Sequence, residues 1–231
     1  MLSVVIPTLN AEEGLPQCLN ALIQATVHGL VREVVIVDGG STDQTVEICD
    51  AAGATLVTAP KGRGTQLQAG AKQAKGDWLL FLHADTVLSP GWEDEVAKFL
   101  EQVEQDRFRG KEVAAAFRFA LDDFGPAARW LEWVVGLRCA LFRLPYGDQG
   151  LLIHKNLYKK LGGYPDAPLM EDVSLVRRIG WRRMVLLRSE AVTSPARYHR
   201  DGYLKRSLTN LGLLSLYFLR VPPRILARLY G

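Results

Sequence analysis

Glu33-Val34-Val35-Ile36-Val37-Asp38 and Trp78-Leu79-Leu80-Phe81-Leu82-His83-Ala84-Asp85 are two apolar runs that each end on an acidic side chain. Continuous Val, Ile, Leu and Phe runs of this length, separated by helical patterns, read as strands buried on both faces of a mostly parallel sheet. In such sheets ligands bind beyond the carboxyl ends of the strands. Two carboxylates delivered there point to a metal, a ribose or a phosphate-rich ligand.

The neighbouring segments extend the pattern. Leu2 to Ile6 reads as a first strand closed by Pro7-Thr8-Leu9-Asn10, followed by a helix from about Glu12 through Val27. After Asp38-Gly39-Gly40, Ser41 and Gln44 have the spacing of a capping box for a helix running to Ala51. Thr55 to Thr58 is a short strand, Thr65 to Lys75 a helix, and Trp78 to His83 the fourth strand. Trp92, Val96, Phe99, Leu100 and Val103 fall at helical spacing as a core-facing stripe. Val113 to Leu121 and Gln149 to His154 read as strands, Ala127 to Phe142 as an apolar helix, and residues 162–168 as an irregular turn before a short helix at Met170-Glu171-Asp172. This alternation predicts a three-layer α/β sandwich.

The chain has 231 residues, 48% of them hydrophobic, enough for one large core at residues 1–200 with a basic, apolar helical tail at 201–231. A net charge of +3, with no alternation of aromatic and basic residues, argues against a nucleic-acid partner. Cys18, Cys49 and Cys139 lack metal-ligand spacing and read as buried thiols of a reducing compartment. The N-terminus opens directly on a strand pattern without an export signal, so a cytoplasmic protein is expected. From Trp181 to Gly231 ten basic residues face two acidic ones, and the uncharged stretch Ser207 to Leu219 is too short to span a bilayer. That tail is expected to cover the core, meet a dimer partner, or lie peripherally at the inner face of an anionic membrane.

Asp38 precedes two glycines, as a ribose- or base-binding acid does, and a turn aspartate has the same pattern. Asp43 suits either a base edge or the first turn of a helix. His83 and Asp85, two apart on an extended segment, face one way, and an oxygen ligand there suits Mg²⁺ or Mn²⁺ shared with substrate phosphates. Lys61-Gly62-Arg63-Gly64 before a helix favours an anion. The first strand lacks G-x-G-x-x-G, which argues against NAD or FAD. Glu171-Asp172 reads either as a helix-dipole pair or as a positioned base for an acceptor hydroxyl.

Taken together, Val4 to Asn10, Val37 to Asp43, Lys61 through Gly70, Leu82 to Asp85 and Met170 to Leu175 resemble, in order, the motifs of the family-two inverting glycosyltransferases of the GT-A fold. The resemblance implies a metal-assisted transfer of one sugar from a nucleotide-diphosphate sugar, UDP being the commonest nucleotide, to a small-molecule or lipid-linked acceptor. It implies Asp172 as general base with Glu171 beside it, and a nucleotide-sugar site of Pro7, Thr8, Asn10, Asp38, Gly39, Ser41, Asp43, Lys61, Arg63, Gly64, Gln66, His83, Ala84 and Asp85. Asp85 would hold Mn²⁺ or Mg²⁺, with His83 and His199 as further ligand candidates. The family's D-x-D is reduced here to His83-Ala84-Asp85, and no Q-x-x-R-W processivity motif follows Asp172. Chain length and the Tyr198-His199-Arg200 and Arg224-to-Tyr230 segments also resemble a small subgroup associated with arsenosugar biosynthesis. Competing readings are a non-catalytic nucleotide- or glycan-binding protein on the same fold and a sugar nucleotidyltransferase, whose G-x-G-T-R loop is missing.

Overall fold

A computed structural model of the chain describes residues 1–105 and 112–230. The first half runs β1 (Leu2–Thr8), α1 (Leu15–Asn20), α2 (Ile23–Val27), β2 (Val31–Asp38), α3 (Thr45–Ala51), β3 (Thr55–Thr58), α4 (Arg63–Gln73), β4 (Trp78–Phe81), β5 (Thr86–Leu88) and α5 (Trp92–Glu104). The second runs β6 (Ala114–Leu121), α6 (Pro126–Phe142), β7 (Leu151–His154), α7 (Lys155–Lys160), α8 (Glu171–Ile179), β8 (Met184–Thr193), α9 (Ala196–Asp201), α10 (Tyr203–Phe218) and α11 (Pro223–Tyr230).

One eight-stranded sheet has the order β3-β2-β1-β4-β7-β6-β8-β5. The pairs β2·β3, β1·β2 and β1·β4 are parallel, as is β6·β8, while β7 and β5 pair antiparallel to their neighbours. Because a buried strand alternates its side chains between faces, Leu2, Val4, Ile6, Trp78 and Leu80 pack with Leu15, Leu22, Val96 and Phe99 of α1, the chain before α2, and α5. Val5, Val37, Leu79 and Phe81 pack on the other face with Leu67 of α4, Leu157 of α7 and Leu175 of α8. This is the expected three-layer arrangement. Cys18, Cys49 and Cys139 are free and buried.

The chain turns left from β1 to β2 and β3, then α4 carries it back over β1 to β4. The switch between β1 and β4 opens a crevice at their carboxyl ends. Gly70 lets α4 settle on the sheet there, since a Cβ would come within 2.4 Å of Val5 Cγ1 and 2.8 Å of Val37 Cγ2.

Several local expectations are corrected. The helix expected over Glu12 to Val27 is two short helices, and Trp92 Nε1 donates to Ala21 O at the break, 3.0 Å away. Gly14 begins α1 pressed against the chain after β4, where a Cβ would lie 2.9 Å from Ala84 O. Ser41 and Gln44 form no capping box: the Ser41 hydroxyl donates to Asp38, and Asp43 Oδ1 accepts from Thr45 N instead. The strand β4 ends at Phe81; Leu82 N still donates to Val5 O at 3.1 Å, and the chain runs on through Asp85. The strand β5 and the helix α7 carry too few contiguous apolar residues to stand out in the sequence, and β8 opens on four, Met184 to Leu187, before Arg188, Ser189 and Glu190 interrupt it. Helix α9 ends at Asp201 and α10 begins at Tyr203, and Gly231 lies outside the described residues. Leu213 and Leu226 are the buried apolar anchors of α10 and α11.

Candidate functional site

A cavity of about 460 Å³ lies beyond the end of β4. Its polar floor includes Arg63, His83, Asp85, Asp148, Asp172 and Arg197. Five separate stretches of chain therefore deliver charge to one concave surface of the size ligands occupy.

Arg63 ties three of the expected motifs together. From the first turn of α4 its Nε donates to Glu171 Oε1, and its Nη1 lies 3.3 Å from His83 Nε2. Glu171 is 1% exposed and Arg63 34%. Burial lifts the Glu171 carboxyl above the usual carboxylate range, with the guanidinium opposing and Asp172 adding to the rise. Burial, then Arg63 and Arg197, push the His83 imidazole well below its ordinary value, so it is neutral. Gly64 follows Arg63 because a Cβ there would lie 2.4 Å from Pro165 O. That close approach brings the loop preceding α8 against α4.

Asp172 stands at the start of α8. Its Oδ2 accepts from Gly147 N at 2.7 Å and its Oδ1 from Val173 N at 2.7 Å, which fixes the carboxylate while leaving each oxygen a further lone pair. A Cβ on Gly147 would lie 2.9 Å from His83 Nε2 and 3.1 Å from Asp172 Oδ2, so bare backbone separates the two side chains. Gly147 opens a 3₁₀ turn, Gly147–Gln149, held by Gln149 Nε2 donating to Phe117 O and by Thr193 Oγ1 donating to Asp148 O. Beside it, the Arg138 guanidinium lies 3.9 Å from the centre of the Tyr146 ring. Burial pushes the Tyr146 hydroxyl up to about 12 and raises the Asp148 carboxyl, which Arg138 opposes and Asp172 reinforces.

Among the described residues, the buried side-chain oxygens without a hydrogen-bond partner are Asp85 Oδ1, Tyr146 OH and Glu171 Oε2. All three belong to this site or border it. Buried polar atoms left unpaired are costly, so an orphaned carboxylate oxygen on a residue that lines the cavity suits a partner the chain itself does not supply. Asp85 is a hard oxygen donor of the kind Mg²⁺ and Mn²⁺ take when substrate phosphates supply most of the remaining ligands. The described residues contain no cluster of three or more His, Cys, Asp or Glu side chains set to hold a metal by themselves.

The second half of the expected site is a rim stitched by its own side chains. Asp38 Oδ2 accepts from Gly40 N at 2.8 Å and Ser41 N at 2.9 Å, and Oδ1 from the Ser41 and Thr8 hydroxyls. Burial resists its ionisation, but these donors outweigh it and hold the carboxyl below the usual range. Asn10, at φ 51°, receives Thr42 N on its Oδ1, and its own N–H donates to Ser41 Oγ. Asp43 joins Glu12 N to the Thr45 amide and hydroxyl. Gln66 reaches up from α4 to donate to Thr8 O and Val37 O, and a Cβ on Gly39 would lie 3.1 Å from its Nε2. Lys61 is exposed, and Pro7 is paired with Val37 in the sheet.

Asp38 and the end of β4 are two strand spacings apart on the same rim, about 10 Å. Asp85, His83, Arg63 and Asp172 share the cavity, whereas Asp38, Asn10, Ser41 and Asp43 are not part of its lining. His199 is also outside it: on α9 its Nε2 lies 2.8 Å from Asp123 Oδ2. The residues that sequence reasoning missed are Arg138, Tyr146, Asp148 and Arg197. The string Tyr146-Gly147-Asp148-Gln149-Gly150, an acid between glycines before a strand, was the available signal.

Comparison with known proteins bears on the family and the fold. Residues 3–110 match the family model described as glycosyl transferase family 2. A PGL/p-HBAD biosynthesis glycosyltransferase of Mycobacterium bovis is 39% identical over 95 residues, 38% of this chain and 36% of the relative. Undecaprenyl-phosphate 4-deoxy-4-formamido-L-arabinose transferase of Pseudomonas aeruginosa is 30% identical over 142 residues, 58% of this chain and 39% of the relative. The chain thus spans well under half the length of these curated relatives. Among solved structures, S. aureus TarS 1–349 superposes with a TM-score of 0.62 at 19% identity, covering 86% of this chain and 62% of that one. Glucosyl-3-phosphoglycerate synthase from Mycobacterium tuberculosis, solved with Mn²⁺, UDP and glucosyl-3-phosphoglycerate, gives 0.56 at 23% identity, covering 84% and 70%. The chain therefore has the GT-A fold, with the glycosyl transferase family 2 match carried by residues 3–110.

Proposed function

We propose that the chain is a nucleotide-sugar-dependent glycosyltransferase that moves one sugar, with inversion, from a nucleotide diphosphate to an acceptor hydroxyl. The observation that carries this reading is the shared cavity in which a partnerless buried oxygen of Asp85 and the backbone-held carboxylate of Asp172 meet on a GT-A sheet. Asp172 accepts the acceptor's proton as the hydroxyl attacks the anomeric carbon. Its two backbone donors fix its direction, and positioned proton transfer of this kind contributes about 10²- to 10⁴-fold. Arg63 and Arg197 lie where the departing diphosphate gathers charge. Arg63 is also held in place by Glu171, which acts through it as a positioning residue. Asp85 would hold Mn²⁺ or Mg²⁺, which supplies charge neutralisation at the diphosphate when bound.

The stitched rim at Asn10, Asp38 and Ser41 is the nucleoside end, its backbone shaped by Asp38. The solved relatives with UDP or UDP-GlcNAc and with Mn²⁺ or Mg²⁺ support a uridine donor and a divalent cation. The deciding experiment is Asp172→Asn. Turnover of a UDP-sugar should fall at least about 10²-fold while calorimetric binding of UDP stays within twofold. Unchanged turnover removes Asp172 from the role of base.

A further inference from the structure

The cavity does not close above its charged floor. Its outer wall is built by α6 and α10, whose Trp130, Leu204, Leu208 and Leu211 line it while remaining 56–69% exposed. Leu204, Leu208 and Leu211 occupy one face of α10 at i, i+4 and i+7. Trp130, Trp133, Leu137 and Leu141 form a second exposed stripe along α6. Of the twenty large hydrophobic residues exposed among the described residues, thirteen fall within 124–142 and 204–229. Exposure concentrated in this way marks an interaction surface rather than scattered surface apolarity.

The charge around this surface narrows what covers it. Between Lys205 and Arg228 there are five cations and no acid, and Lys205, Arg220, Arg224 and Arg228 are exposed. In α11, exposed Arg224 and Arg228 alternate with exposed Ile225 and Leu229. Basic and apolar residues mixed on short helices are the composition of elements that lie in the plane of an anionic bilayer. No helix among the described residues is long and apolar enough to cross one. A two-fold contact through this face would set cations of one copy against those of another, which disfavours a second copy as the occupant.

We propose that the acceptor is an amphiphile embedded in an anionic lipid surface, its hydroxyl head at the Asp172 floor and its apolar chain leaving between α6 and α10. The inference rests on the reading of the cavity as the acceptor end of a glycosyl-transfer site. It assigns α6, α10 and α11 as the face that docks on the membrane and explains why an enzyme pocket has a wet, apolar lip.

Vesicle sedimentation and alkyl-chain titration test it on the full chain. The protein should sediment with phosphatidylglycerol vesicles and not with phosphatidylcholine vesicles, and brominated lipid should quench its tryptophan fluorescence. The pair Trp133→Glu and Leu141→Glu, both exposed and outside the cavity lining, should weaken vesicle binding at least tenfold with melting temperature and UDP binding unchanged. Below their micelle concentrations, alkyl glucosides from butyl to decyl should bind more tightly by up to about fourfold per methylene buried. Equal sedimentation of the paired variant, absence of any vesicle binding, or a dimer-to-monomer change in the variant by analytical ultracentrifugation overturns the membrane face. Affinity independent of chain length, as a hydrophilic acceptor of the arsenosugar kind would give, overturns the amphiphile. Loss of UDP binding by the wild-type protein would instead count against the transferase reading itself.

Discussion

At the scale of single residues, the site is organised around Arg63. Its guanidinium neutralises a carboxylate that is almost wholly buried, and removing one partner of such a pair is worse than never having had it. A fully buried pair broken in this way costs about 3–5 kcal/mol, and with Arg63 one-third exposed we expect about 2 kcal/mol for Arg63→Met. The cost should depend on pH. Without the guanidinium, burial alone acts on Glu171 and lifts its folded-state pKa further above the unfolded 4.5. Between those two values the folded state holds a proton the unfolded state has released, so the variant's stability falls as pH rises through that window and recovers in acid. Urea denaturation of Arg63→Met from about pH 4 to 8 should show this slope, and the double variant with Glu171→Gln should lose it. Sequence reading found both residues, assigning Arg63 to an anion and Glu171 to the catalytic pair. It did not find that they touch, because 108 residues separate them and each has a sufficient local explanation, at a helix N-terminus or in a helix first turn. Asp38 and Asp43 show the reverse: their oxygens hold loops 9–12 and 38–45 together, the local alternative that a turn aspartate always offers.

At the scale of elements, close approach of backbones decides where the side chains of the cavity stand. Helix α4 rests on β1 and β2 through Gly70, whose added Cβ would overlap two β-branched side chains that cannot swing aside. Gly70→Ala should therefore destabilise by about 1–3 kcal/mol in spite of the better helix propensity of alanine. A Cβ on Gly136, in the middle of α6, would meet nothing within 4 Å, and Gly136→Ala should stabilise by up to about 1 kcal/mol. Thermal melts of the two variants read the difference in sign directly. Gly147→Ala tests the site rather than the core: its Cβ would wedge between His83 and Asp172, so turnover should fall at least about tenfold with the melting temperature nearly unchanged. The parallel strands β1, β2, β3 and β4 were legible because each is a contiguous apolar or β-branched run between turn signals. The strand β8 was not, since Arg188, Ser189 and Glu190 interrupt its middle and its Leu186 and Leu187 break alternation; tertiary pairing with β6 and β5 makes it a strand.

At the scale of the whole molecule, one sheet joins a regular parallel half that carries the Asp38 rim to an irregular half that supplies Asp148 and Asp172, the two meeting at Asp85. The rim of the first half could be predicted from strand order alone, whereas the outer wall that α6 and α10 give the cavity joins segments some seventy residues apart that leave no shared periodic trace. This division predicts how ligands should stabilise the fold. A uridine diphosphate that binds across both halves ties them together, and binding only the folded state at a hundred times its dissociation constant adds about 2.7 kcal/mol. For a chain of this size that corresponds to a rise of about 5–10 °C in melting temperature. Because Asp85 Oδ1 is the buried oxygen awaiting a partner, Mn²⁺ and UDP together should raise the melting temperature by more than the sum of their separate effects. Asp85→Ala should abolish that excess while leaving the smaller shift produced by uridine alone, which on the proposed reading engages only the Asp38 rim. An Asp85→Ala protein that still responds to the combination as the wild type does would move the cation to another ligand and break the link drawn here between the two halves.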